Sequence, residues 1–160
     1  MLGVDPGLAV TGFAVVEVLE RGGQVKDYGC IRTSSKLAKP ERLGAIYNGI
    51  HDIISKWSPN LLVIEDAFVN MKYPKAALQL GEVRGAISVA ARNLNVDVCE
   101  IMPSEAKLAL TGNGGAGKAQ VANAVRRILV TDAPFGSSHV SDALALALTG
   151  LSRSGRFNWP

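Results

Sequence analysis

The 160-residue sequence has little cysteine, few aromatic residues and no long hydrophobic run. Its two cysteines, Cys30 and Cys99, show neither C-x-x-C nor Cys/His spacing, so we expect buried reduced thiols rather than a disulfide or a metal site. No apolar stretch approaches the roughly 18 residues of a membrane span, and Asp5 and Pro6 interrupt the first apolar run where a signal peptide would need its hydrophobic region. These absences predict a cytoplasmic protein that has no membrane partner.

Net charge is also small. Seventeen Lys and Arg against 14 Asp and Glu give a formal charge of +3, which permits a polyanionic partner without requiring one. Hydrophobic residues make up 48% of the chain, and this content excludes a disordered protein. The length suits about one domain. We expect a single domain over residues 1–151 and a flexible basic tail over residues 152–160.

Hydrophobic spacing divides the chain into strands and helices. Apolar runs bounded by turn residues predict strands at 2–4, 12–18, 25–33, 61–64 and 96–101. Apolar residues at helical spacing predict helices at 40–57, 76–94, 118–130 and 139–151. This order of elements predicts an α/β protein that has a mixed five-stranded sheet with helices on both faces.

Three carboxylates stand in apolar surroundings, where a charge is costly to bury unless it is paired or binds a cation. Asp5 follows the first strand, Glu65 ends the most apolar strand, and Asp142 lies on the last helix, where it shares a face with His139. Hard divalent cations need oxygen ligands from several directions. These residues predict a metal site for phosphoryl transfer. A turn aspartate at position 5 and an ordinary core or surface histidine are the alternatives.

Several short motifs follow one another along the chain. They are Gly3-Val4-Asp5-Pro6-Gly7 with Thr11-Gly12, Gly29-Cys30-Ile31-Arg32-Thr33, Ile64-Glu65 with Phe68, Leu80-Gly81 with Arg84-Gly85, Lys107, Lys118 and Asp142-Ala143-Leu144-Ala145. From residue 2 to about residue 149, the sequence resembles the RuvC family of Holliday junction resolvases. The resemblance implies a ribonuclease H-like nuclease fold, a homodimer, the RuvA-RuvB branch migration complex as partner, and metal-dependent symmetric nicking of four-way DNA junctions.

The same resemblance implies roles for the candidate residues. Asp5, Glu65 and Asp142 match the catalytic acids, which implies Mg²⁺ or Mn²⁺ as cofactor, two ions per subunit. The departure is His139, because many members have an aspartate there. We expect His139 to act as a metal ligand or general base, and an imidazole at this position shifts the preference toward Mn²⁺.

DNA contacts are implied in the same way. Phe68 matches an aromatic residue that stacks on a base near the crossover, although a Phe after a strand is usually a core residue. Lys107 and Lys118 match lysines that contact the scissile backbone region. The residues expected to follow phosphates are Lys72, Lys75, Arg84, Lys107 and Lys118. Each of these cations would otherwise be a solvated surface charge.

A glycine-rich stretch offers a competing interpretation. Gly112 to Lys118 fits the G-x-x-x-x-G-K pattern of a phosphate-binding P-loop, which would indicate an ATPase. Ala119 lacks the hydroxyl that would hold Mg²⁺, and the stretch before the loop has a helical pattern. A flexible loop that lets Lys118 reach DNA is the better interpretation, and an inactive nucleic-acid-binding module of the same fold is the other alternative.

Small residues recur along the helix predicted at 76–94. They are Gly81, Gly85, Ala86, Ala90 and Ala91. Such a face allows close approach of a second helix, and two symmetric cuts suit a two-fold dimer. Packing of the same face on the chain's own sheet is the alternative.

Overall fold

The computed structural model describes residues 1–19, 22–66, 74–129 and 136–155. The strands in these residues are β1 (Leu2–Asp5), β2 (Val10–Leu19), β3 (Gly22–Arg32), β4 (Leu61–Glu65) and β5 (Asp97–Ile101). They form one sheet in the order β3-β2-β1-β4-β5. The pairs β1–β2 and β2–β3 are antiparallel, whereas β1–β4 and β4–β5 are parallel. The predicted mixed five-stranded sheet is confirmed.

Helices cover both faces of the sheet, as predicted. They are α1 (Lys39–Trp57), α2 (Pro74–Asn93), α3 (Pro103–Thr111), α4 (Lys118–Ile128) and α5 (Ser138–Arg153). On one face, α1 and α2 pack their apolar sides on side chains such as Leu2 and Ile64. On the other face, α3, α4 and α5 share a core with Ala14 and Val63. Because successive side chains of a strand alternate between faces, the central strands contribute to both cores.

The boundaries differ from the sequence predictions in several places. Helix α3, which was expected only as a helical stretch before the glycine-rich loop, begins at Pro103, a favourable residue for a first helical position. Helix α4 ends at Ile128, and residue 130 of the predicted helix lies outside the described residues. Helix α5 continues to Arg153, so the first two residues of the expected tail are helical. Residues 156–160 of that tail lie outside the described residues.

Helix α5 crosses the strands of the sheet. Its first turn lies over Gly12 of β2, its middle lies over Gly3 of β1, and Gly150 near its end contacts Val63 of β4. In the β1–β2 ladder, Gly12 is the partner of Asp5. The crossing therefore brings the start of α5 to the residue that ends β1.

Two further predictions can be compared with the structure. Cys30 and Cys99 are free thiols, but both are only half-buried, so the expectation of full burial is wrong. Both pack against the core that α3, α4 and α5 form on their side of the sheet, without being enclosed by it. Among the described helices, none is both long and apolar enough to cross a membrane.

Candidate active site

The candidate residues meet at one edge of the sheet. Asp5 ends β1 and Glu65 ends the neighbouring strand β4. Because β1 and β4 are parallel, their carboxyl ends lie at the same edge. A cavity of about 280 Å³ at this edge is lined by six of the predicted residues: Asp5, Glu65, Lys107, Lys118, His139 and Asp142. Its remaining wall is largely apolar and comes from α3, α4 and α5.

Asp5 and His139 are joined directly. The Nδ1 atom of His139 lies 2.6 Å from Oδ2 of Asp5, and the Asp5 side chain is only 12% exposed. When Asp5 is ionised, the imidazole N–H donates this hydrogen bond to the carboxylate. The bond fixes the orientation of the ring, and Nε2 is then the ring nitrogen that remains for a metal ion or a proton.

The two strand-end carboxylates are held where negative charge is unfavourable. Burial raises the pKa of Asp5, and the nearby charge of Asp142 raises it further, although the hydrogen bond from His139 opposes both effects. Burial also raises the pKa of Glu65, and the charges of Asp5 and Asp142 add to the effect. A cation between these groups would relieve both the desolvation and the repulsion.

Two lysines bring positive charge to the same cavity. Lys118 begins α4 directly after the glycine-rich loop, and its Nζ atom lies 3.3 Å from Oδ2 of Asp142. The Lys118 side chain is 78% exposed, so the ammonium group can reach a bound polyanion. Lys107 reaches the cavity from α3.

The P-loop interpretation is wrong. The loop joins α3 to α4, whereas a P-loop follows a strand. Gly112 ends α3 with a φ of 72°, the left-handed conformation that glycine favours at a helix end. Lys118 is paired with a carboxylate of the cavity. The loop thus presents a lysine to the carboxylates.

The donor set suits a hard divalent cation. Three carboxylates and one imidazole line the cavity, and the pKa values of Asp5 and Glu65 are raised. Within the part of the chain that the structure describes, no three His, Cys, Asp or Glu side chains form a ready-made metal cage. Asp5 and Asp142 are each held by a partner from the chain, His139 and Lys118. The residues fit a metal by chemistry and burial.

Of the other predicted DNA contacts, the two that the structure describes, Lys75 and Arg84, do not line this cavity. Lys75 lies exposed in the first turn of α2. Arg84 is only 15% exposed, because one guanidinium nitrogen lies 2.8 Å from Oε1 of Glu100 and another lies 3.7 Å from Oδ1 of Asp66. Phe68 and Lys72 lie outside the described residues.

Two threonines support the turn after Asp5, and sequence reasoning did not assign them this role. The Thr11 hydroxyl donates to the carbonyl of Gly7 at 2.8 Å, and the Thr33 hydroxyl donates to the carbonyl of Leu8. Both bonds hold the turn that follows Asp5. Each threonine belongs to a motif that carried the family resemblance, and that motif was the sequence signal that could have identified it.

Comparison with known proteins identifies the same family that the sequence motifs resemble. A family model described as Crossover junction endodeoxyribonuclease RuvC matches residues 1–150. A relative of that description from Chloroherpeton thalassium is 42% identical over 153 residues, which cover 96% of this chain and 82% of the relative.

Solved structures agree with this match. The RuvC structure of Thermus thermophilus has a TM-score of 0.87 and 32% sequence identity, and the superposition covers 98% of each chain. A structure of T. thermophilus RuvC in complex with a Holliday junction substrate gives a TM-score of 0.89 at 32% identity, over 97% of this chain and 95% of that one. The expected ribonuclease H-like fold is thereby confirmed. The chain belongs to the RuvC family of crossover junction endodeoxyribonucleases.

Proposed function

We propose that this chain resolves four-way DNA junctions by paired symmetric nicks and that the cavity at the end of β1 and β4 is its metal-dependent active site. One observation carries the proposal: acids from β1, β4 and α5 and lysines from α3 and α4 line the same cavity. Asp5 and Glu65 both have raised pKa values, and core packing gives no reason to place two such carboxylates together.

The residues suggest how hydrolysis proceeds. Asp5, Glu65 and Asp142 would supply oxygen ligands to two Mg²⁺ or Mn²⁺ ions per subunit, and His139 would act as a ligand or general base. Bound divalent cations supply an activated water and neutralise phosphate charge in such sites. The water oxygen would lose a proton to the base and bond to phosphorus, while the bond to the 3′ oxygen would break and that oxygen would take up a proton from solvent, which leaves 5′-phosphate and 3′-hydroxyl ends.

The lysines of the cavity act on the same step. Negative charge grows on the phosphate oxygens as the water attacks, and a fixed ammonium group stabilises that charge. We propose this role for Lys118 and Lys107. The exposed position of Lys118 supports it, since the side chain can leave Asp142 for a phosphate without losing a buried contact.

Further DNA contacts are proposed around this centre. Phe68 would stack on a base opened at the crossover, and Lys72 and Lys75 would contact phosphates. For Arg84 the two carboxylate partners favour a different role from the predicted phosphate contact. We propose that its guanidinium group supports the ends of β4 and β5 beside Glu65.

A homodimer would place two such sites on one junction. Ala90 and Ala91 of α2 are buried in the chain's own core, so part of the small-residue face is used there. Residues on one side of the same helix remain at the surface: Leu78, Gly81, Gly85 and Val89. Leu78 is 72% exposed, which supports this side of α2 as a two-fold interface.

The oligomeric state can be measured directly. Sedimentation equilibrium at micromolar concentration should show a dimer, and Leu78→Glu should shift the equilibrium to monomer. A monomeric wild-type protein would contradict the proposed interface. By family membership we also propose the RuvA-RuvB complex as partner and a cytoplasmic location, where that complex and the DNA would be found.

A gel assay tests the activity. A synthetic four-way junction and a linear duplex of the same sequence are incubated with Mg²⁺, Mn²⁺ or EDTA. We expect paired nicks in the junction with either metal and none with EDTA. Equal nicking of the linear duplex would indicate a nonspecific nuclease, and junction binding without cleavage under every condition would indicate an inactive binding module.

A further inference from the structure

Two glycines of the sheet lie against the backbone of α5. A Cβ atom on Gly12 would lie 2.3 Å from the carbonyl oxygen of His139, and one on Gly3 would lie 2.0 Å from the carbonyl oxygen of Ala143. Real Cβ atoms essentially never come within 3.0 Å of another heavy atom. At both positions any larger residue must therefore move α5 away from the sheet.

Gly12 differs from Gly3 in what lies above it. Gly12 is the partner of Asp5 in the β1–β2 ladder, and the residue packed on it is His139. The 2.6 Å hydrogen bond between His139 and Asp5 forms across this contact. The close backbone approach at Gly12 is the reason that the short imidazole side chain reaches a carboxylate on β1.

We propose that Gly12 is a positioning residue for the active site. It sets the height of the first turn of α5 above the sheet, and this height determines whether Nδ1 of His139 meets Asp5. Asp142 lies in the next turn, beside Ala143, so His139 is the α5 residue of the cavity that Gly12 positions directly. This inference rests on the proposed function only for the metal-binding role of these residues, because the hydrogen bond is a contact within the chain itself.

Gly3 provides a matched control. The helix residues above it, Ala143 and Ala147, are fully buried in the middle of α5. An added methyl group at Gly3 must lift the centre of the helix and separate many core contacts. An added methyl group at Gly12 acts on the first turn, which can tilt while the rest of the helix stays in place. Gly3→Ala should therefore lower the stability more than Gly12→Ala does, whereas Gly12→Ala should disturb the site geometry more.

NMR of the histidine side chains, in protein prepared without metal, reports whether His139 still meets Asp5. The chain has two histidines, His51 and His139, so the imidazole ¹⁵N resonances can be assigned with His51→Gln. We expect Gly12→Ala to remove the hydrogen-bonded Nδ1 signature of His139 and to weaken Mn²⁺ binding by roughly tenfold. Gly3→Ala should lower the melting temperature more but keep the His139 signature. His51, which stacks on Tyr47 of α1, should stay unchanged in both variants.

A second variant tests the same idea without a steric clash. Ser137 caps α5, and its hydroxyl oxygen accepts a hydrogen bond of 3.3 Å from the backbone N–H of His139. Ser137→Ala removes this cap, loosens the first turn, and should weaken the His139 signature and Mn²⁺ binding to a smaller extent. This variant is expected to fold even where Gly12→Ala does not.

Two results would overturn the proposal. One is an intact His139 signature with wild-type Mn²⁺ affinity in folded Gly12→Ala or in Ser137→Ala. The other is an equal loss of the signature in Gly3→Ala, which would make Gly12 an ordinary packing residue. A failure of the junction assay would leave the NMR result unaffected, so the two proposals fail separately.

Discussion

The two ends of the sheet treat carboxylates in opposite ways. At the active-site end, burial and neighbouring acids raise the pKa values of Asp5 and Glu65. Toward the other end, Oδ2 of Asp27 accepts hydrogen bonds from Nζ of Lys56 and Nε1 of Trp57, each at 2.8 Å. The Lys56 hydrogen bond is the main reason that the pKa of Asp27 is lowered.

This difference separates a carboxylate that supports the fold from carboxylates that are proposed to support chemistry. Asp27 ties β3 to the end of α1, and its negative charge is stabilised by the partners it meets. For Asp5 and Glu65, burial outweighs the nearby cations, His139, Lys107 and Lys118, and raises the pKa, so their negative charges are unfavourable in the folded chain. Under the proposed function, cations from solution would complete the active-site end, whereas Asp27 finds its partners, Lys56 and Trp57, within the chain.

The largest expected effect concerns cleavage. Asp5→Asn, Glu65→Gln and Asp142→Asn should each abolish junction cleavage while junction binding persists, because affinity comes mainly from phosphate contacts and catalysis from the metal. Asp27→Asn is the matched change at the other end and should cleave at the wild-type rate. Single-turnover gels and mobility shifts measure both properties. Near wild-type nicking by any of the first three variants would remove that residue from the site.

The next largest expected effects concern two aromatic residues, Phe68 and Trp57. Phe68→Ala should reduce cleavage by about 1 to 3 kcal/mol, roughly 5- to 150-fold, with little change in stability, if its ring stacks on a DNA base. Trp57→Ala should instead lower the melting temperature and leave cleavage unchanged, because Trp57 packs on the α1 and α2 core and binds Asp27. A large drop in the melting temperature of Phe68→Ala would assign that ring to the core.

A smaller effect is expected at His139. Imidazole suits Mn²⁺ better than Mg²⁺, which prefers oxygen ligands, so His139→Asp should raise Mg²⁺ activity relative to Mn²⁺ activity. Cleavage rates in Mg²⁺ and in Mn²⁺ measure this change. An unchanged ratio of the two rates would limit His139 to orienting Asp5.

The smallest expected effects concern stability without metal. The pKa of Glu65 is raised from 4.5 on folding, so the native state holds the proton longer and its stability falls as pH rises above that value. Glu65→Gln should therefore raise the melting temperature at neutral pH, with no gain at strongly acidic pH. The pKa of Asp27 is lowered from 3.8, so its contribution is present above that value and is lost as pH falls through the native pKa.

Asp27→Asn should accordingly lower the melting temperature at neutral pH. Thermal unfolding in EDTA from acidic to neutral pH measures both variants. Changes of the same sign in the two variants at neutral pH would contradict the division between the two ends of the sheet.

Local patterns predicted most of the elements but little of their assembly. The continuous apolar run of β4 correctly indicated a central strand that ends in Glu65. Helix α3 was harder to delimit, because its two buried residues, Ala106 and Leu110, make a weak periodic signal. Sequence showed Arg84 as a cation, but its partners, Asp66 directly after β4 and Glu100 on β5, became visible only after the sheet was assembled.

The candidate site shows the same division. Residue type and apolar context were enough to select Asp5, Glu65 and Asp142. The hydrogen bond between Asp5 and His139 was not predicted, because it depends on how closely α5 crosses β2. The pairing of Lys118 with Asp142 likewise depends on the packing of α4 beside α5.

The Asp5–His139 contact joins residues 134 positions apart in the sequence. During synthesis, the β1–β3 meander leaves the ribosome early and pairs locally, whereas α5 follows more than 100 residues later. A nascent chain that has folded as far as β5 therefore carries Asp5 and Glu65 but neither His139 nor Asp142. Translation order thus delays assembly of the candidate site until α5 has been made and laid across the sheet, so a ribosome-bound chain that ends before α5 should lack the proposed nuclease activity.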